Sequence, residues 1–415
     1  MTRKELRDES AKALNALTRK QLLDEFAISR VSYLSGLDTI GVPVYCSVRV
    51  LSQSVAIHAG KSLHKDLARA GAIAEAIEFE VAEHPDGPFK VCSAFQLPEE
   101  KRLGLEDCFP TRSSVVSDAS LLAWEEMVNI NNGEEKLVPS DLIWMIPRLK
   151  NQPLMHLQMG SNGLASGASL EDAILSGLYE IIERDGWTLS RHLIDAYGIM
   201  PKRTPLEDLP TDIQALVDTL EECKLKLHIF DATTDYNVPV FNAVILDTTG
   251  NCAGTFSGWG ANLDAGSALL RAITEAIQGR ACYISGARDD LLRRQFLLMK
   301  RLDQVKLHQM FSDLLTGSKI SEYRKIDFPD VKTELRYLLK FLKRFGVNEV
   351  YVKEMGQYVD GSLFAVRVLS PQCEPHAFDH WTPTRRCLSY ARRYVEKMAD
   401  SATTPAEEGE TWKSA

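Results

Sequence analysis

The order of apolar and polar positions predicts an alternation of strands and helices along the chain. Short alternating runs of β-branched residues predict strands, and longer stretches with apolar residues three and four apart predict helices. Helices are predicted over 4–26, 62–84, 169–197, 212–223, 264–285 and 300–345, the last with a turn at 317–321. Strands are predicted over 44–51, 90–97, 142–146, 225–230, 238–246, 252–260, 350–354 and 363–369, with irregular structure between 97 and 142 and a linker over 198–210.

Three of these helices carry the same pattern. Residues 68–78 read ARAGAIAEAIE, residues 173–183 read AILSGLYEIIE, and residues 268–278 read ALLRAITEAIQ. Each copy follows a predicted strand or a glycine-rich loop, and Ser62, Ser169 and Asp264 are the expected N-caps. The sequence therefore predicts an internally repeated α/β (mixed α+β) architecture, in which each unit donates one helix to a common centre.

Helical geometry turns the repeat into a candidate site. Each copy carries two polar side chains three residues apart, which lie on one helix face. The pairs are Glu75 and Glu78, Glu180 and Glu183, and Glu275 and Gln278. In the first two copies, the positions three, four and seven residues before the leading glutamate are all Ala, Gly or Ser. We expect this small, acidic face to let a ligand approach closely and to present oxygen atoms to it.

Five converging carboxylates require cations, because neighbouring like charges oppose ionisation. Oxygen ligands without His or Cys favour Mg²⁺, which usually keeps phosphate or water ligands as well. The chain also offers phosphate partners, namely the 160–167 loop (GSNGLASG) before a helix N-terminus, Lys61, Arg184, Arg271, Arg280 and Arg288. Since no GxxxxGK[ST] occurs, the pattern predicts a nucleotide–Mg²⁺ site that is not a P-loop. A carboxylate-bridged metal centre would need ExxH pairs, which the motifs lack.

Bulk composition narrows the class of protein. The 415 residues carry a net charge of −9, which gives no basic surface for nucleic acid. No apolar run is long enough for a membrane span, and the charged N-terminus does not resemble a secretory signal. The eight scattered cysteines predict buried thiols rather than disulfides or zinc sites. We expect a cytoplasmic protein with no membrane or nucleic-acid partner.

The motif segments resemble the YcaO superfamily. The resemblance rests on 60–78 (GKSLHKDLARAGAIAEAIE), 161–185 (SNGLASGASLEDAILSGLYEIIERD) and 258–280 (GWGANLDAGSALLRAITEAIQGR) with the GARDD at 286–290, and extends to 30–45 (RVSYLSGLDTIGVPVY). It implies a YcaO core over 30–300 and its C-terminal part over 301–398. A helical segment over 1–29 and a disordered tail over 399–415 would flank them.

The resemblance also implies a chemistry. YcaO proteins use ATP and Mg²⁺ to phosphorylate a backbone amide oxygen of a peptide, so that phosphate can leave. It implies Glu180, Glu183 and Arg184 as catalytic residues and Glu75, Glu78, Glu180, Glu183 and Glu275 as metal ligands. The implied nucleotide-binding residues are Arg30, Ser32, Lys61, Glu75, Asn162, Arg184, Arg271, Gln278 and Arg280. Many relatives have Ser at the position of Gly71 and Arg at that of Phe79.

The wording of the motifs resembles the branch that works with a TfuA-type partner. This branch forms thioamides from a peptide or protein substrate and an external sulfur donor. The sequence ends in ETWKSA rather than a Pro-rich tail and has no fused leader-binding domain, which argues against azoline formation. An azoline-forming cyclodehydratase and a non-catalytic peptide-binding scaffold remain the alternatives, and a homodimer is possible.

Overall fold

A computed structural model describes residues 1–109, 116–149, 157, 159–250, 254–286, 297, 302–376 and 381–403. The helices are α1 Arg3–Ala16, α2 Arg19–Phe26, α3 Lys65–Ala82, α4 Leu170–Tyr197, α5 Thr211–Glu222, α6 Ala265–Ser285, α7 Gln304–Ser312, α8 Val331–Lys343 and α9 Arg385–Thr403. The strands are β1 Ile28–Tyr33, β2 Val44–Arg49, β3 Ile57–Lys61, β4 Lys90–Ser93, β5 Leu121–Asn129, β6 Glu135–Pro139, β7 Leu164–Gly167, β8 Arg203–Thr204, β9 Lys226–Asp231, β10 Val240–Leu246, β11 Thr255–Ala261, β12 Tyr351–Tyr358 and β13 Leu363–Leu369.

The strands form three sheets, and each sheet has a motif helix after its terminal strand. The sheet orders are β1-β2-β3, then β4-β5-β12-β13-β7 with β6 beside β5, then β11-β10-β9-β8. Strands β3, β7 and β11 each end one of these orders and lead directly into α3, α4 and α6. Every pairing between these strands is antiparallel. The predicted fold class, a mixture of helices and sheets, is confirmed, and the antiparallel sheets make it α+β.

A close approach between strand and helix recurs in all three units. A Cβ added at Gly60 of β3 would lie 2.1 Å from the carbonyl oxygen of Ala68. One added at Gly167 of β7 would lie 2.2 Å from the backbone nitrogen of Ala173. Gly258 of β11 has the same relation to α6, with 2.2 Å to the carbonyl oxygen of Ala272. The small helix face, which was predicted to let a ligand approach, is therefore largely covered by the neighbouring strand. Only small residues on both the strand and the helix allow the two backbones to lie so close.

The opposite faces of the motif helices fill three separate parts of the core. Ile73 and Ile77 of α3, Leu178 and Ile182 of α4, and Ile273 of α6 each belong to a different buried cluster. The described cysteines form no disulfide, and all but Cys223 are buried, as predicted. No helix in the described residues is long and apolar enough to cross a membrane.

Helix starts show where capping rules succeed and where they fail. The predicted helix over 4–26 is two helices, because Thr18 forms a capping box with Gln21 and starts α2. Ser169 and Asp264 cap α4 and α6 as predicted. Ser62 is not a cap: α3 begins after His64, whose side chain makes no capping hydrogen bond.

The predicted secondary structure is wrong mainly between residues 97 and 142 and at the C-terminus. The segment predicted as irregular contains β5 and β6, and the strand predicted over 142–146 is absent, since a short 3-10 helix over Ser140–Leu142 ends at its start. Strand β5 was missed because residues 122–125 are buried on both faces and include Glu125, so the strand lacks a regular apolar and polar alternation. The predicted linker contains β8, and α9 was not predicted. Residues 404–415 of the predicted tail lie outside the described residues.

Candidate nucleotide and metal site

The three motif helices enclose a cavity of about 580 Å³. Five predicted metal ligands and four further predicted site residues line it: Glu75, Glu78, Glu180, Glu183, Glu275, Lys61, Arg184, Arg271 and Gln278. The ends of β3 and β7 and Ser257 of β11 complete the wall. The structure therefore brings together predicted site residues that are up to 217 positions apart in sequence, from Lys61 to Gln278.

Hydrogen bonds cross from one unit to the next around this cavity. Lys61 Nζ donates to Glu275 Oε2 at 3.1 Å and joins the first unit to the third. Ser166 donates through its backbone nitrogen at 2.8 Å and its hydroxyl at 2.5 Å to Glu78 Oε1, and joins the second unit to the first. These contacts fix the relative positions of the three helices at the site.

Burial and mutual repulsion oppose ionisation of several of these carboxyl groups. Burial first, together with the charges of Glu75 and Glu180, raises the pKa of Glu78 to about 8. Burial and the charge of Glu275 raise the pKa of Glu183 to about 7. For Glu275, burial opposes ionisation, but Lys61 and Arg184 outweigh it and lower its pKa. The cavity thus holds more acidic groups than its own cations neutralise.

The donor set fits Mg²⁺ held partly by phosphate. Among the described residues, no group of three or more His, Cys, Asp or Glu side chains converges tightly enough to hold a metal alone. The carboxylates instead surround an open volume, as expected for Mg²⁺ that takes other ligands from a nucleotide. Gln278 Oε1 and Arg271 Nε are buried without a hydrogen-bond partner in the structure, although both residues line the cavity. Such atoms require a partner, and a bound nucleotide would supply it.

Four of the predicted nucleotide-binding residues do not line this cavity in the described structure. Arg280 is buried and forms ion pairs with Asp38 at 3.0 Å and Asp247 at 3.5 Å. Arg30, Ser32 and Asn162 also lie outside the cavity wall. Arg30 and Ser32 belong to β1. The buried Oδ1 atom of Asn162 has no hydrogen-bond partner in the described structure. Residues 287–290 of the GARDD segment, including Arg288, lie outside the described residues.

Helix α1 contributes residues that the sequence analysis did not assign to the site. Arg7, Ser10, Ala11 and Leu14 line the cavity. Arg7 Nε lies 3.3 Å from Asp172 Oδ2, and Arg3 Nε lies 2.7 Å from Oδ1 of the same carboxylate. The spacing of these positions at three and four residues was the available signal. The helical segment over 1–29 is therefore part of the cavity wall.

Both positions at which the chain departs from many YcaO relatives lie at the site. Gly71 and Phe79 line the cavity. The Phe79 ring packs against His58, with centroids 4.7 Å apart. An apolar ring thus occupies a wall position where an Arg would add a cation.

Comparison with known families agrees with this geometry. The family model described as the ATP- and Mg²⁺-binding YcaO cyclodehydratase matches residues 59–374. The chain therefore belongs to the YcaO family of ATP-dependent peptide-modifying enzymes, and the predicted cofactors, ATP and Mg²⁺, are confirmed.

Two sequence relatives cover most of the chain. One, a protein of Methanothermobacter thermautotrophicus, is 28% identical over 393 residues, which is 88% of this chain and 95% of that protein. Another, from the tfuA 3′ region of Rhizobium leguminosarum bv. trifolii, is 29% identical over 304 residues and covers 71% of each chain. Both are described as uncharacterized, so they support the family rather than a particular reaction.

Solved structures show the same fold. A heterocyclase in complex with substrate and cofactor superposes with a TM-score of 0.69 at 20% identity, over 87% of this chain and 53% of that chain. This chain therefore spans about half of that heterocyclase. YcaO from Methanopyrus kandleri, bound with AMPPCP and Mg²⁺, gives a TM-score of 0.65 at 18% identity, over 89% and 91% of the two chains.

Proposed function

We propose that this protein uses ATP and Mg²⁺ to activate a backbone amide of a peptide for thioamide formation, with an external sulfur source and a TfuA-like partner. The observation that carries the proposal is the cavity itself. It combines five carboxylates with Lys61, Arg184 and Arg271, and no described cysteine or histidine lines it. This composition favours phosphoryl transfer over catalysis by a protein thiol or imidazole.

The chemistry follows from the weakness of an amide as an electrophile. Bound ATP would supply the phosphoryl group that lets the amide oxygen leave as phosphate, while sulfur from the donor takes its place on carbon. Glu75, Glu78, Glu180, Glu183 and Glu275 would hold Mg²⁺. The cations on the wall would orient the phosphates and stabilise charge that develops on the transferred group.

Arginine and lysine have distinct parts in this arrangement. Lys61 is already paired with Glu275, so it keeps that carboxylate ionised and ready to accept Mg²⁺. Arg184 lies 3.8 Å from Glu180 and faces the cavity, where its guanidinium can bind phosphate oxygens in pairs. Arg271 has an unpartnered buried Nε that can serve the same purpose.

The preference for a thioamide product rests on the motif wording and on the relative from the tfuA 3′ region. The experiment compares the peptides of cells that produce the wild-type chain with those of cells that produce Glu183→Gln. Peptides in which sulfur replaces one oxygen, present only with the wild type, would support the proposal. Wild-type samples without such peptides would contradict thioamide formation.

A second candidate is azoline formation on Cys, Ser or Thr of a precursor peptide. It is favoured by the solved relatives named as heterocyclases. The same peptide comparison separates the two, because azoline formation removes one water from the peptide.

Phe79, in a wall position where many relatives have Arg, favours a non-catalytic scaffold. Absence of any ATP turnover by the folded chain with its substrate and partner would support that reading.

A further inference from the structure

An aromatic cluster adjoins the cavity at Arg184. The guanidinium carbon of Arg184 lies 5.1 Å from the centroid of the Trp187 ring. Because these residues are three apart on α4, they lie on the same helix face. Arg184 also lines the cavity, so this face continues from the carboxylates to the aromatic ring.

The Trp187 ring is itself held from two further elements. It stacks on Trp259 of β11, with centroids 5.4 Å apart and an angle of 15° between the rings. His376 approaches its edge, with centroids 3.8 Å apart and an angle of 64°. Both tryptophans are half-buried, and Trp259 packs against a buried core cluster, whereas Trp187 belongs to none of those found in the described residues, so core packing does not explain its position.

The rings of this cluster place no additional charge beside Arg184 at physiological pH. Burial first, then the charges of Arg184 and Arg191, lowers the pKa of His376 to about 3, so its ring is neutral at physiological pH. A guanidinium over a Trp face is attracted by the ring and keeps its hydrogen-bond donors available at its edge. Among the residues that the structure describes, Arg184 forms one ion pair, the long one to Glu180 at 3.8 Å.

We propose that Trp187, braced by Trp259, is a positioning residue that aims the Arg184 guanidinium into the nucleotide cavity. The inference rests on the proposed contact between Arg184 and the nucleotide. Without the ring, the long Arg184 side chain would sample other rotamers, and binding would have to restrict it. The cost would then appear in nucleotide affinity rather than in folding.

The test measures Mg²⁺–ATP binding to the full chain by calorimetry. A cation–π contact of this kind corresponds to about a 3- to 30-fold loss of affinity in Trp187→Leu. Trp187→Phe, which keeps a ring, should bind within about threefold of the wild type. Trp381→Leu is the matched control: Trp381 packs against His192 of the same helix at 5.8 Å, away from Arg184, and its loss should leave affinity unchanged.

A double-mutant cycle with Arg184→Met separates this inference from the proposed function. The expected result is that Trp187→Leu costs nothing further once Arg184 has been removed. If Arg184→Met weakens binding but Trp187→Leu does not, or if their losses simply add, the positioning role is wrong and the nucleotide site stands. If Arg184→Met binds as the wild type does, both the Arg184 contact and the role of Trp187 are wrong. Thermal unfolding of each variant checks that it is folded.

Discussion

Two glutamates of one helical segment, the buried Glu83 and the half-buried Glu78, have opposite electrostatic surroundings. Glu83, directly after α3, accepts hydrogen bonds from Arg49 Nη2 at 2.7 Å and from the backbone nitrogens of Gln53 at 2.9 Å and Ser54 at 3.0 Å. Burial opposes its ionisation, but these donors outweigh burial and lower its pKa to about 2. Glu78, five residues earlier, accepts hydrogen bonds from the backbone nitrogen and hydroxyl of Ser166 and from no other described residue, and burial raises its pKa to about 8.

Helix α4 repeats the contrast in hydrogen-bond and ion-pair partners but not in pKa, because burial raises the pKa of Asp185 as well, in spite of its pairing with Arg386. Asp185 is fully buried, pairs with Arg386 Nη2 at 2.8 Å and accepts a hydrogen bond from the Glu374 backbone nitrogen at 2.8 Å. Glu183, two residues before it, faces the cavity, and burial raises its pKa to about 7. A buried carboxylate that is paired with its own cation holds two elements together. A buried carboxylate without sufficient positive charge around it favours the binding of a cationic ligand.

Replacing one carboxylate of each kind should separate binding from stability most clearly. Glu183→Gln removes a proposed Mg²⁺ ligand and a repulsive charge together, so it should lower ATP turnover by at least about 100-fold. Its thermal unfolding temperature should stay near that of the wild type. Turnover in the presence of substrate and thermal unfolding are the two measurements.

Glu83→Gln is the matched control for that variant, since it makes the same chemical change on a compensated carboxylate. It should lower the unfolding temperature and leave Mg²⁺–ATP affinity nearly unchanged at temperatures where the variant is folded. A folded, fully active Glu183→Gln would remove that residue from the proposed site and break the comparison.

The second prediction concerns the cation that compensates Glu83. Arg49→Met leaves Glu83 buried without its ion pair, which should cost about 3–5 kcal/mol of unfolding free energy. The urea midpoint measures this loss. The double variant Arg49→Met/Glu83→Gln should recover part of it, because no buried charge is then left alone. An Arg49→Met variant as stable as the wild type would show that the pair does not hold the fold.

The sequence predicted which glutamates would line a common cavity better than it predicted the strands around them. The repeat located Glu75, Glu180 and Glu275 because helix periodicity places chemically similar residues on one face, and this requires no tertiary information. It could not locate β5 and β6, because these strands contain charged residues such as Glu125, whose partner Ser140 is 15 residues away in sequence although the two are in contact in the structure.

The same limit explains the residues misplaced or missed. Arg280 continues the third motif in sequence, but Asp38 lies close enough to hold it away from the cavity. Arg7 lines the cavity because α1 packs against α3 and because Arg7 pairs with Asp172 of α4; the spacing along α1 predicts a helix face but not these neighbours. Proximity in sequence to a motif is thus weaker evidence for a role than a position on its helix face.

The third prediction uses the uncompensated carboxylates as a pH probe. Since Mg²⁺ must displace the protons that Glu78 and Glu183 retain, affinity for Mg²⁺–ATP should rise between about pH 7 and pH 9, by up to about tenfold per unit for each proton released. Above about pH 7 the terminal phosphate is already ionised, so its own titration contributes little. Calorimetry in two buffers of different ionisation enthalpy measures the protons released. Affinity that is independent of pH would contradict the raised pKa values.

The smallest expected effect is a gain of stability from Glu78→Gln in the ligand-free chain. The pKa of Glu78 is near 8 when folded and near the ordinary value of 4.5 when unfolded, so the folded state holds the extra proton. Its contribution to stability therefore falls as pH rises from about 4.5 towards 8. Above that range, Glu78→Gln should be more stable than the wild type by roughly 1 kcal/mol, because it removes a charge whose ionisation is opposed by burial and by Glu75 and Glu180. Unfolding temperatures at pH 5 and pH 8.5 measure the difference, which should shrink at the lower pH. A loss of stability at both pH values would mean that Glu78 holds the fold as Glu83 does.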